Sequence, residues 1–171
     1  MKFEEYQKLS IRTNKWLSSI QFDVAHMLLG MNGEINELND ALESVDKVNQ
    51  AEELADIAWY VSNYASIRNL HLDESKALLV RGDYNGLVYQ ISTLTDIAKK
   101  WIIYNKEIDT TEEQKICQNI LSILYHFDIE INFSKALQNN IDKLKKRYPE
   151  KYSDENAQNR DLAAERKELE K

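Results

Sequence analysis

Apolar residues recur every three or four positions along almost the whole chain, as in Leu28, Met31, Ile35, Leu38, Leu42 and Val45. That spacing lines one face of an α-helix, and this stripe is expected to face a core. Four glycines and one proline leave few interruptions. The pattern predicts helices over 3–19, 22–45, 50–69, 84–105, 111–129 and 134–147, a polar helix beyond Tyr152, and short helical pieces bridging 73–81. Amphipathic helices of this length bury their apolar faces against one another, so the predicted fold class is all-α, a helical bundle.

The strongest turn signal, Val80-Arg81-Gly82-Asp83-Tyr84-Asn85-Gly86, divides the chain nearly in half. A constant shift of 59 residues places Ser75-Lys76-Ala77-Leu78 over the identical Ser134-Lys135-Ala136-Leu137. It also matches Leu28 with Leu87, Ile35 with Leu94, Leu38 with Ile97, Ile57 with Ile116 and Val61 with Ile120. Because no gap is needed, the pattern reads as a diverged internal duplication. The expected organisation is a single domain over 1–153, with units about 22–80 and 84–140, followed by the polar helix 154–171.

Carboxylates stand directly beside the apolar stripes. Glu34 and Glu37 are three apart on the helix 22–45, and Glu53, Asp56, Tyr60 and Asn63 form one polar line along the next helix. A short polar link makes the two helices antiparallel, which can bring the two carboxylate pairs face to face. Acidic residues at this spacing commonly sit on solvated faces and pair with lysines. Here, however, the only basic residues between Phe22 and Ser75 are His26, Lys47, Arg68 and His71. Four converging carboxylates repel one another unless a cation neutralises them, and all-oxygen ligation suits a hard ion such as Mg²⁺, with Mn²⁺ able to substitute. Gly30, about one turn from the pair, costs the helix roughly 1 kcal/mol relative to alanine and marks a close approach by a backbone or ligand.

Twenty-two basic against 29 acidic residues give a net charge of -7, which disfavours nucleic acid as a partner. A single cysteine, Cys117, excludes an internal disulfide and reads as a small buried hydrophobe. No apolar run approaches the ~20 residues that span a bilayer, and the polar start Met1–Ser10 reads as neither signal peptide nor anchor. A soluble, cytoplasmic protein without a membrane partner is expected.

The segments Leu29-Gly-Met-Asn-Gly-Glu-Ile-Asn-Glu-Leu38 and Glu52-Glu-Leu-Ala-Asp-Ile-Ala-Trp-Tyr60 resemble the ExxE and ExxD helices of the MazG-like all-α nucleoside triphosphate pyrophosphohydrolases, relatives of the dimeric dUTPases. Asn140-Ile-Asp-Lys-Leu-Lys-Lys-Arg147 and the sequence after it are similar to the carboxy-terminal stretch of many such proteins. The chain departs from a minimal member by its extra length between Leu70 and Asn140, where the second repeat lies.

The resemblance implies Mg²⁺-dependent cleavage of a (deoxy)nucleoside triphosphate into the monophosphate and pyrophosphate. The metal would be held by Glu34, Glu37, Glu53 and Asp56, with Glu37 as the base. Lys143 and Arg147, beside Asn140, become candidate phosphate clamps, and Tyr60, Asn63 and His26 candidate substrate contacts. Trp59 and Trp16 read as core first and base-stacking surfaces second. At the shift of 59 the second unit carries Thr93, Asp96, Glu112 and Lys115, a broken ligand set, so one metal site per chain is expected. Family members generally build the site from more than one protomer, which makes a homo-oligomer an open expectation. The competing class is a non-catalytic helical module binding nucleotide or protein through a degenerate version of this fold.

Overall fold

Helix starts are set locally and in the same way throughout. In the computed structural model, which describes residues 1–77, 82–127 and 130–170, α1 spans Phe3–Ser10, α2 Ile20–Glu43, α3 Lys47–Ile67 and α4 Tyr84–Tyr104. They are followed by α5 at Thr110–Tyr125, α6 at Phe133–Arg147, α7 at Asp154–Gln158 and α8 at Leu162–Leu169. Each helix from α2 onward starts behind a residue whose side chain accepts a backbone N–H of the first turn: Ser19, Asp46, Asp83, Asp109, Asn132, Ser153 and Asp161. These caps satisfy N–H groups that a helix leaves unpaired. Among the described residues the structure is all-helical apart from turns and one isolated bridge between Gly82 and Phe127. Among the described residues no helix is long and apolar enough to cross a membrane.

Several boundaries differ from the sequence expectation. The helix expected over 3–19 stops at Ser10 and tightens into a 3-10 turn over Ile11–Thr13. Arg12 then turns to the later chain, its guanidinium donating to the carbonyls of Tyr148, Pro149 and Glu150. Val45 does not extend the core stripe: α2 ends at Glu43 and Val45 is 68% exposed with φ 57. The Asp46 N–H bonds the Ala41 carbonyl and the Val45 N–H that of Leu42, the pattern of a Schellman cap. α3 starts three residues earlier than expected because Asp46 caps it through the Val48 and Asn49 N–H groups. The polar tail forms two short helices, since Asp161 opens a new one. Of the pieces expected over 73–81, a 3-10 turn appears at Glu74–Lys76. Leu78, Val80 and Arg81, on which part of the repeat and turn readings rest, lie outside the described residues, as do the last two positions of the helix expected over 111–129.

α3 is the central element. It packs on α1, α2, α5 and α6, while α4 packs on both α2 and α5. Most of α3 between Glu53 and Ala65 is therefore buried, polar residues included. α1 and α6 also touch each other, and α8 lies on α6. The core runs through all of these, with Met27, Met31, Leu38, Leu54, Ile57, Leu87, Ile91 and Leu94 shielded from solvent.

Candidate metal and ligand site

Antiparallel packing of α2 on α3 brings three of the four carboxylates together. One oxygen each from Glu34, Glu37 and Glu53 lie within 4.8 Å of one another, Glu53 buried, Glu34 half-buried and Glu37 exposed. Burial drives the carboxyl groups of Glu34 and Glu53 well above the ordinary range, and the nearby charge of Asp56 adds to the shift. Glu34 rises to about 7 and Glu53 to about 9, the two sharing a hydrogen bond. A carboxyl–carboxylate pair holding one proton is the arrangement two buried like charges adopt without a counter-ion. Three oxygen donors at this spacing, two of them sharing one proton that a cation's charge would replace, fit a hard divalent ion.

Asp56 stands apart from that trio. Its Oδ2 accepts from Lys143 Nζ at 2.6 Å and its Oδ1 from the Asn140 amide. Lys143 is 2% exposed and also donates to Glu52 at 3.1 Å. Burial alone would lower its pKa, but Asp56 and Glu52 outweigh that and hold it charged. Asn140 is itself buried, and the Tyr6 hydroxyl shares its one proton between the Asn140 Oδ1 at 2.8 Å and the Ala55 carbonyl at 2.9 Å. Lys143 and Asn140 thus meet the carboxylate line of α3 rather than the cleft.

That cleft, of about 150 Å³, opens beside the trio and is lined by Glu34, Asp56, His26, Tyr60, Trp59, Arg147, Lys15, Thr13, Leu144, Tyr148 and Tyr152. The structure therefore brings Tyr60, His26 and Arg147 to one surface. A Cβ built on Gly30 would lie 2.1 Å from the Tyr60 ring, so the missing side chain of Gly30 makes room for that ring. The Tyr60 ring stands edge-on to Trp59 at 4.9 Å and to His26 at 6.1 Å. Burial and the surrounding carboxylates raise the Tyr60 phenol, which stays protonated. Burial lowers the His26 pKa, and its buried Nδ1 has no hydrogen-bond partner among the described residues.

Asn63 is not brought to the cleft. It is fully buried, its amide donating to the Trp59 carbonyl at 2.8 Å, in a helix that packs against α1, α2, α5 and α6. Trp16 is 59% exposed and lines a separate surface groove. Cys117 is buried, which raises its thiol and leaves it protonated. At the second-unit positions, Asp96 pairs with Lys99 and Lys100, and Glu112 and Lys115 are exposed; the trio on α2 and α3 is the one metal-competent group among the described residues.

Sequence reasoning missed Lys15, Thr13, Tyr148 and Tyr152 as cleft walls. They come from the 3-10 turn over Ile11–Thr13 and the irregular segments just after it and after α6, where no periodicity points inward. It also missed Glu52 as a partner of Lys143, from a distant part of the chain, and Glu165 as the partner of Arg147, on the later helix α8. No family model, no curated protein and no solved structure matches the chain.

Proposed function

We propose that the protein is a divalent-metal-dependent nucleoside triphosphate pyrophosphohydrolase of the MazG-like kind. The observation that carries this reading is the Glu34, Glu37, Glu53 trio, its oxygens within 4.8 Å, at the edge of a cleft that also holds aromatic rings and two cations. Mg²⁺ or Mn²⁺ held by the trio would supply charge neutralisation for phosphate oxygens and acidify a water. Glu37, the most exposed of the three, takes the proton of the attacking water. That water adds to the α-phosphorus, the bond to the α–β bridging oxygen breaks, and pyrophosphate leaves.

Around this chemistry the other residues orient. Asn140 and Lys143 fix Asp56 beside the trio, so Lys143 acts through Asp56 rather than as a direct phosphate clamp. Arg147 and Lys15 offer positive charge to the phosphate chain, and Tyr60, Trp59 and Tyr148 offer ring faces to the base. The chain is further read as two diverged repeats, α2–α3 and α4–α5. Supporting this, the sequence shift of 59 pairs buried Leu28 with Leu87, Ile35 with Leu94, Ile57 with Ile116 and Val61 with Ile120, and buried Leu38 with partly buried Ile97. The second hairpin then serves as scaffold.

The test is an assay of the purified protein with each common ribo- and deoxynucleoside triphosphate and Mg²⁺, reading monophosphate and pyrophosphate. Turnover is expected in the native protein and is lost in Glu53→Gln and in Asp56→Asn, with helical content by circular dichroism unchanged. Undiminished turnover in both variants would remove the assigned site.

A further inference from the structure

Arg147 is the one guanidinium lining the cleft among the described residues, and it is not free to rotate there. Its Nε donates to Glu165 Oε1 at 3.0 Å and its Nη2 to Glu165 Oε2 at 2.5 Å, a two-point contact from the side of the guanidinium away from Nη1. Such a fork fixes the plane of the group as well as its position. Nη1 makes no hydrogen bond among the described residues. Arg147 also feels the charge of Asp56 and acts on the Tyr60 phenol, which places it within electrostatic reach of the carboxylate end of the cleft.

Glu165 belongs to α8, far along the chain from the carboxylate helices, and is 3% exposed. A buried carboxylate is costly unless fully paired. Here two guanidiniums pair it: Arg160 Nη2 also donates to Oε2, at 2.8 Å. Burial alone would raise its pKa, but Arg147 and Arg160 pull it to about 2. α8 is anchored independently by Arg166, which reaches Asn49 at the start of α3, and by the Leu169 carbonyl, which accepts from Asn139. The docking of α8 therefore does not depend on Glu165 alone, and of the two guanidiniums that Glu165 pairs, Arg147 is the one that lines the cleft.

We infer that Glu165 is a positioning residue for anion binding: it holds the Nε/Nη2 edge of Arg147 so that Nη1 is presented to a phosphate group in the cleft, which makes α8 part of the ligand site. The inference rests on the phosphate-ligand reading above, but it concerns binding and not hydrolysis. An unheld arginine samples many rotamers, and a held one has already lost that freedom before the ligand arrives.

The experiment titrates the full-length protein with inorganic pyrophosphate in the presence of Mg²⁺ by calorimetry, alongside thermal melting of each variant. Glu165→Gln breaks the two-point contact and should weaken pyrophosphate binding roughly tenfold, near the effect of losing one charge-assisted contact. Arg147→Ala should weaken it at least as much, and Glu165→Asp, which keeps the charge, should recover most of the loss. Arg160→Ala removes the other cation on Glu165. It should lower the melting temperature while leaving pyrophosphate affinity within about twofold, since Arg147 stays held. Native affinity in Glu165→Gln would overturn the inference, as would an affinity loss in Arg160→Ala matching that of Glu165→Gln. Absence of pyrophosphate binding by the native protein would overturn it too. If the native protein binds pyrophosphate but hydrolyses no nucleotide, the inference stands and the hydrolase reading falls.

Discussion

Two glycines on one helix, three residues apart, have opposite meanings. Gly30 lies under the Tyr60 ring, whereas a Cβ on Gly33 would meet nothing within 4 Å. Neither has a positive φ, so the helix itself tolerates a side chain at both. Gly33→Ala should therefore raise stability by about 1 kcal/mol through helix propensity, read by urea unfolding. Gly30→Ala should lower it and displace Tyr60, which a change in the fluorescence of the adjoining Trp59 would report. The spacing of Gly30 from Glu34 signals a close approach, but the approaching group is a ring from the same chain, which only the packing of α3 on α2 reveals.

At the scale of the helices, ends matter more than middles. Val45, Asn69 and Asn105 all adopt left-handed conformations just past the ends of α2, α3 and α4. Asparagine tolerates that region, and a β-branched valine does not. Val45→Gly should stabilise the α2–α3 hairpin by about 1 kcal/mol, with no change in metal affinity, because Val45 is exposed and remote from the trio. A fall in the urea midpoint would show that the Val45 side chain contributes packing that its exposure does not suggest. The hydrophobic stripe on α2 was legible from spacing; its termination at Glu43 was not, since Val45 fits the repeat and is excluded only by the Schellman cap and by Asp46 capping the next helix.

For the whole molecule, the shared proton of Glu34 and Glu53 links stability to pH and to metal. Their folded-state pKa values are raised, to about 7 and about 9, so the folded protein binds more protons than the unfolded chain. Their stabilising contribution is complete below the ordinary carboxyl value near 4.5 and is lost as pH rises through about 7 and then about 9. The metal-free melting temperature should fall across that window, by an amount equivalent to roughly 2 kcal/mol or more. Glu53→Gln should flatten the fall, because it leaves one fewer charge to form. Millimolar Mg²⁺ or Mn²⁺ should raise the melting temperature most at the alkaline end, where no proton competes for the carboxylates. A melting temperature independent of both pH and metal would contradict the converging trio.

The periodicity of Leu28, Met31, Ile35 and Leu38, with Ser, Asp and Asn at the starts of helices, determined an all-helical chain, because helix formation depends on neighbours within a few residues. The same local rule put Glu34 and Glu37 on one surface, and set Glu53 and Asp56 one turn apart. Which of these four meet was decided by tertiary structure. Central burial of α3 turned one polar line toward α6, so that Asp56 found Lys143 and Asn140 while Glu53 found Glu34. Asn63, on that same line, was buried in the interior, and Arg147 was tied to Glu165 on a helix that no spacing connects to it. Pairings of this kind depend on distances between segments far apart in the chain, and those distances exist only once every helix has found its neighbours.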